Sequence, residues 1–299
     1  MQKYSLAIDI GGTFIKYAYI DKNYNIIKQW KKPTLLFKSK DEFYDYLCSD
    51  IDNNIELVGI SAPGVISEDS VVLSKAAQNV QIMYMTNINK EVKKRLNKPT
   101  FTINDGKSAG YCELTLGNGK RSKSSAYFII GTGIGGCICY KNEIIQGTDR
   151  IAGELSTLPI GFSTTKKGRY KRLGEIASIT ALIDMYNQKA SFPLKTGEEV
   201  CKKYLENDEI AVKVMNQWCK NIVFGLSIII MLYNPEIICI GGGISEEKWF
   251  IDKVLDIYKN ETHIISEPPI TTKIMACKYN NNSNLLGALL YAENTLNHK

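Results

Sequence analysis

Histidine is almost absent from this 299-residue chain: there are two, His263 and His298, both late and far from any glycine-rich segment. That scarcity leaves no basis for a histidine general base or for a zinc site built from cysteine and histidine. The eight cysteines, at positions 48, 112, 137, 139, 201, 219, 239 and 277, include no C-x-x-C pair. Several, such as Cys137, Cys139 and Cys239, sit inside apolar runs and read as buried, reduced thiols. No uninterrupted apolar run approaches the ~20 residues that a membrane helix needs. A strand begins within a few residues of Met1, which leaves no signal peptide and makes the cytoplasm the expected location. Low-complexity tracts long enough for a linker or a disordered tail are missing as well. So is the Walker pattern, which needs Gly-Lys-Ser/Thr at the start of a helix.

What the chain has is an ordinary globular balance, 44% hydrophobic and 23% charged, and enough length for two domains with real cores. Two glycine-rich turns stand out. The first, Asp9-Ile10-Gly11-Gly12-Thr13, follows an apolar run from Tyr4 and precedes the β-prone Phe14–Ile20. The second, Gly131-Thr132-Gly133-Ile134-Gly135-Gly136, lies between Ala126–Ile130 and Cys137–Tyr140. In each, the second strand leads through a polar turn to a third short strand. Neither opens a helix as the dinucleotide fingerprint requires. A duplicated hairpin with small residues at its tip can offer backbone N–H groups to phosphate oxygens. Each turn alone is also just a turn; two in matching frames point to a nucleotide gripped from two sides.

The remaining pattern alternates strands and helices. Strands are expected near 3–9, 14–20, 25–30, 57–61 and 100–103, with helices near 40–51 and 87–96 and one from Asp105 to about 116. The polar stretch 117–124 reads as an interdomain connection. Strands near 125–131, 135–140 and 143–146 follow, then several helical pieces over 147–208 and a long helix over 209–233. Strands 236–240 and 271–275 and a helix over 283–297 complete the chain. The net charge of +6 is spread out; it mildly favours an anionic ligand such as ATP and is a weak sign of nucleic-acid binding. The most basic stretch, residues 166–172, reads as a solvated loop or a substrate-side flap.

Several residues could carry chemistry, each with a plainer alternative. Asp9, at a strand end beside the first turn, can hold Mg²⁺, mostly through water, or can stabilise its own turn. Lys16 can approach a phosphate or face solvent. Asn104-Asp105 closes a strand and opens a helix: Asp105 there can accept a hydroxyl proton, yet Asn-Asp-Gly is also a helix cap. Glu154, after Gly153, can accept hydrogen bonds from sugar hydroxyls. Gly241-Gly242-Gly243-Ile244-Ser245 lets a flat ring approach the backbone, or simply turns the chain from strand to helix.

As a set, in this order, Asp9–Thr13, Asn104-Asp105, Ile130–Gly136, Ala152-Gly153-Glu154 and Gly241–Ser245 resemble the ROK family of sugar kinases (repressors, open reading frames, kinases), within the actin-like ATPase superfamily. The resemblance spans residues 3 to 295. It implies an α/β fold of two actin-like (ribonuclease H-like) lobes, 1–117 joined by the C-terminal helix 283–299, and 118–282, with a nucleotide and sugar cleft between them. It further implies ATP and Mg²⁺ as cofactors and transfer of the γ-phosphate to a hexose hydroxyl, commonly the 6-OH. Carried over by position, Asp105 is the catalytic base. Gly64, Asn79, Asn104, Asp105 and Glu154 are the sugar contacts, with Glu175 one residue out of register with a further family glutamate. Gly11, Gly12, Thr13, Thr132 and Gly133 fall on the phosphate side, and Gly242 and Gly243 on the adenosine side; Lys16 joins the ATP side only by its place on the second strand.

There are departures. Thr157 stands where zinc-bearing members have a histidine, and residues 159–172 contain no cysteine, so the resemblance implies a zinc-free protein of the branch that includes β-glucoside kinases and some N-acetylmannosamine kinases. Lys107 replaces a common asparagine; it reaches a phosphate, an acidic sugar group or only solvent. The leading expectation is a kinase for glucose or a β-glucoside, with N-acetylmannosamine kinase, fructokinase and a non-catalytic sugar sensor as alternatives. Repressors of this family carry a DNA-binding segment ahead of the first glycine turn, where this chain has eight residues before Asp9; neither nucleic acid nor a membrane is an expected partner. Family members are often dimers, and the 209–233 helix is compatible with a homodimer, though a core role explains it equally well.

Overall fold

The structure is a computed structural model that describes residues 3–75, 78–163, 169–261 and 269–298. It divides into two compact units: residues 1–117, 144–152 and 281–299 form the first, and residues 118–143 and 153–280 the second.

The first unit runs β1 (Tyr4–Ile10), β2 (Phe14–Ile20), β3 (Ile26–Pro33), α1 (Lys40–Cys48), β4 (Ile55–Ala62), α2 (Ile88–Leu96), β5 (Thr100–Asn104) and α3 (Asp105–Thr115). Its sheet has the order β3-β2-β1-β4-β5. β1 pairs antiparallel with β2 and parallel with β4, which is parallel to β5. β1 is apolar on both faces because helices cover it, as a parallel centre requires; Leu6, Ile8, Ile15, Tyr17, Phe43 and Ile60 are all fully buried. Ser39 caps α1 by accepting from the Glu42 N–H at 3.2 Å. That helix stops at Cys48 rather than near 51, since Ser49 is already extended.

The second unit repeats the frame with β6 (Ser124–Ile130), β7 (Ile134–Tyr140) and β8 (Glu143–Ile144), then inserts the hairpin β9 (Pro159–Phe162) and β10 (Tyr170–Arg172) and the helices α4 (Gly174–Ala177), α5 (Ile179–Asn187) and α6 (Gly197–Leu205). α7 (Glu209–Tyr233), β11 (Ile237–Gly241), α8 (Lys248–Glu261) and β12 (Lys273–Ala276) follow. The sheet order, β12-β11-β6-β7-β8, mirrors that of the first unit. α8 and the β9–β10 hairpin have no counterpart in the sequence reading. Of the basic stretch 166–172, residues 166–168 lie outside the described residues, while Tyr170, Lys171 and Arg172 form β10 and pair with β9.

α7 is long and apolar enough to cross a membrane by length and composition. Val214, Trp218, Ile222, Leu226 and Ile229, spaced at helical period along one face, are buried in the core of the second unit with Phe128, Ile240 and Phe250. The Trp218 indole N–H donates to the Ser178 carbonyl at 2.9 Å, so its polar edge is satisfied inside that core. The helix ends where Asn234 turns left-handed (φ 46°) ahead of Pro235.

α9 (Ser283–Asn297) belongs to the first unit. Leu285, Leu286, Leu289 and Leu290 are buried, each worth about 1.5–3 kcal/mol of transfer free energy. At Gly287 α9 meets α3 backbone to backbone: a Cβ there would lie 1.8 Å from the Ser108 carbonyl oxygen. Gly287→Ala must therefore push the helices apart. It is expected to lower stability by about 1–3 kcal/mol or more, read as a drop in denaturant midpoint.

Candidate active site

In the first unit the β1–β2 register sets Asp9 opposite Lys16 and Ile10 opposite Ile15, with residues 11–14 as the tip. The Gly11 N–H donates to the Phe14 carbonyl at 3.1 Å, and the Thr34 hydroxyl to the Gly11 carbonyl at 2.7 Å. The Asn79 amide donates to the carbonyls of Gly12 and Thr34, each at 3.1 Å. Asn79, expected at the sugar, thus also ties the Gly11-Gly12-Thr13 tip to the chain beyond β3.

The Asp9 carboxylate is buried, and its Oδ1 accepts from the Ser61 hydroxyl at 2.8 Å and from the Asn284 amide of α9 at 3.0 Å. Its Oδ2 lies 3.9 Å from Lys16 Nζ. Lys16 is partly exposed and pairs across the strand with Asp9, which leaves both the phosphate and the solvent alternatives open to it. Ser61 and Asn284 went unnoticed in the sequence. Ser61 has a weak signal, as β4's residue opposite Asp9 in a parallel pair; Asn284 has none, because the sequence separation from Asp9 is bridged only by folding.

At the end of β5, Asn104 and Asp105 do two jobs together. Asn104 Oδ1 caps α3 by accepting from the Lys107 N–H at 3.0 Å, and its amide donates to the Gly64 carbonyl and to Asp105 Oδ1, both at 3.0 Å. Asp105 Oδ1 also accepts from the Gly106 N–H at 2.8 Å. The capping alternative therefore belongs to Asn104, and the Asp105 carboxylate is held in one orientation by two donors. Gly64, with φ 92°, delivers its carbonyl to this cluster.

Lys107 does not face solvent. It is 3% exposed, and its ammonium donates to the Arg150 carbonyl. The Arg150 guanidinium in turn donates from Nε to the Ile66 carbonyl at 2.6 Å. These two bonds hold residues 144–152 to the first unit, immediately ahead of Gly153-Glu154.

In the second unit the Gly131 N–H donates to the Gly133 carbonyl at 3.0 Å, and the Thr132 carbonyl accepts from the Thr180 hydroxyl at 2.8 Å. Gly242 has φ 93°, and a Cβ there would strike the Ile130 carbonyl oxygen at 1.9 Å, so the Gly241–Gly243 turn presses directly on the end of β6. Gly131, Thr132 and Gly243 line a cleft of about 520 Å³, walled by Ile179, Gly197 and Lys202 and by Ile244 and Trp249. That volume falls within the usual range for small-molecule sites. Backbone-lined glycines at one end with aliphatic and indole walls suit a planar base that leads to a charged tail. Trp249 lies on α8, for which the sequence reading has no range between the glycine turn and the strand expected at 271–275.

Glu154 precedes a short turn in which the Thr157 hydroxyl donates to the Glu154 carbonyl at 3.0 Å. Glu175, on the first turn of α4, is exposed; it accepts from the Arg169 guanidinium and from the Arg172 N–H at 3.4 Å. All eight cysteines are free thiols. Burial pushes those of Cys48 and Cys219 up to about 12 and that of Cys201 to about 11, far from a reactive thiolate. Among the described residues, no group of three or more His, Cys, Asp or Glu side chains could hold a metal ion.

Two five-stranded sheets of the same order, each with a glycine-tipped hairpin that includes its central strand, make an actin-like two-lobe fold. The chain belongs to the ROK family, whose sequence model matches residues 5–295. It is 28% identical to a β-glucoside kinase of Listeria innocua over 95% of this chain and 96% of that one. Among solved structures it is similar to a ROK family protein from Streptococcus pneumoniae in complex with sucrose, with a TM-score of 0.85, 21% identity and 99% and 100% of the two chains covered. It is also similar to a ROK family glucokinase from Streptomyces griseus in complex with glucose and AMPPNP, with a TM-score of 0.82, 21% identity and coverage of 97% and 99%.

The Lys107 tether is open to direct test. Lys107→Met keeps the aliphatic stem but removes the donor to the Arg150 carbonyl. Loss of that charge-assisted bond is expected to lower unfolding free energy by about 1–3 kcal/mol, read from the denaturant midpoint at unchanged slope.

Proposed function

We propose that this chain is an ATP-dependent sugar kinase that transfers the γ-phosphate to a hexose hydroxyl, the 6-OH of glucose or of a β-glucoside. The observation that carries the reading is the Asp105 carboxylate at the C-terminal end of β5, oriented by the Asn104 amide and the Gly106 N–H. In this reading Asp105 accepts the sugar hydroxyl proton as that oxygen attacks the γ-phosphorus and the bond to the ADP oxygen breaks. General-base assistance of this kind is worth ~10²–10⁴ in rate; positioning and charge stabilisation supply most of the remainder.

The other residues keep the roles that the family resemblance implies. Gly64, Asn79, Asn104, Glu154 and Glu175 are the proposed sugar contacts. Gly11, Gly12, Thr13, Lys16, Thr132 and Gly133 attend the phosphates. Gly242 and Gly243 stand on the adenosine side, where the cleft beside Trp249 would take the base. Asp9 fits Mg²⁺: a single buried carboxylate with one oxygen fixed by Ser61 and Asn284 suits an ion that keeps most of its waters. When bound, the ion neutralises phosphate charge. No zinc is assigned to this chain. The relatives' names favour glucose or a β-glucoside, and a homodimer is compatible with this reading.

The test is ADP release with Mg-ATP across hexoses, amino sugars and β-glucosides. Turnover with one sugar class is expected. Asp105→Asn is expected to lower kcat by ~10²–10⁴ with ATP affinity retained; near-wild-type turnover in that variant would remove Asp105 from the role of base.

A further inference from the structure

The inserted hairpin carries exposed chemistry that phosphate transfer does not use. β9 and β10 pair antiparallel with Tyr170 opposite Phe162. The two rings lie 5.3 Å apart between centroids, at 31°. Phe162 is 80% exposed and Tyr170 55%, so the pair spends large apolar faces on solvent rather than on a core. Beside it opens a cleft of about 350 Å³ lined by Thr157, Pro159, Arg169, Tyr170 and Arg172.

That cleft is linked by hydrogen bonds to both glutamates proposed as sugar contacts. Thr157, on its wall, donates to the Glu154 carbonyl at 3.0 Å. Arg169 and the Arg172 N–H both donate to the Glu175 carboxylate. A ring held by the Glu175 carboxylate would therefore have the cleft as its neighbour. Any substituent on that ring directed toward Thr157 would enter it.

We propose that this cleft is a second subsite, which takes the further ring of a β-glucoside while its glucose is phosphorylated; the proposal rests on the kinase reading above. The chemistry of the lining selects the ligand class. Aromatic faces pack on the C–H faces of a sugar or aryl ring, and guanidinium N–H groups donate to hydroxyl and ring oxygens. The Arg169 charge is met by Glu175, so the lining is a donor-rich apolar platform rather than a bare anion trap. A neutral second ring fits this lining better than a phosphate does.

The experiment compares kcat/KM for glucose, cellobiose and 4-carboxyphenyl β-glucoside in the full chain and in the Tyr170→Ala, Phe162→Ala and Arg172→Gln variants. Tyr170→Ala is expected to lower the ratio of kcat/KM for cellobiose to that for glucose about tenfold, the size of one lost ring contact with its burial. Phe162→Ala, at the more exposed ring, should lower it in the same direction. A ratio unchanged in both variants, with glucose still turned over, overturns the subsite and leaves the kinase reading intact. A strong preference for the carboxylated glucoside that Arg172→Gln abolishes overturns the neutral-ring assignment in favour of an anionic one. No turnover with any sugar in the unaltered chain sinks the kinase reading, and the subsite with it.

Discussion

The backbone contact between α3 and α9 is the constraint on which the first unit's candidate site depends. With no side chain at Gly287, the two helices close until α9 reaches the Ser108 carbonyl, and the Ser108 hydroxyl donates to the Asn284 carbonyl at 2.7 Å. That contact fixes the N-terminal turn of α9, and Asn284 on that turn reaches Asp9. The same helix α3 carries Asp105 at its first position and Lys107 two residues on. One close approach thus sets Asp9 and Asp105, the carboxylates proposed for Mg²⁺ and for the sugar, in a common frame, with the C-terminal helix as its keystone.

The polar groups of this unit are arranged so that each candidate functional group is held by its neighbours. Asp9 is fixed by Ser61 and Asn284, Asp105 by Asn104 and Gly106, and the first glycine tip by Asn79 and Thr34. Such fixing matters because a group placed an ångström off loses much of its advantage in a positioned reaction. Lys107 extends the principle to a loop. A buried ammonium costs several kcal/mol to desolvate unless it is well bonded, so the chain accepts that cost at a point where the bond ties residues 144–152 down just before Glu154. Arg150, whose left-handed φ of 58° is itself unfavourable for a side-chain-bearing residue, completes the anchor through Ile66.

The second unit uses the same strand order for a different purpose. Its glycine-rich segments build a cleft, with β6 and β11 pressed together through Gly242 and the walls supplied by α6 and α8. The β9–β10 hairpin lies between two candidate sugar glutamates in sequence and satisfies one of them, Glu175, by an ion pair. The basic stretch that reads as a solvated loop is, over Arg169 to Arg172, a short strand and a carboxylate partner. A run of cations in sequence carries no sign of which of them a fold will neutralise.

The sequence by itself determined the duplicated strand frame, the class of fold and the residues that resemble a family's motifs, because these rest on local order: alternation, glycine tips, a capping asparagine, an Asn-Pro helix stop. Only the tertiary structure decided which residues hold the functional groups. Asn284 meets Asp9, Arg150 meets Lys107 and Trp249 meets Thr132's cleft across separations for which the chain has no periodic signal. Lys107 shows the physical reason most plainly. A lysine two residues into a helix has no local signal for burial, and it is buried here with its ammonium bonded to a carbonyl of a loop forty-odd residues later.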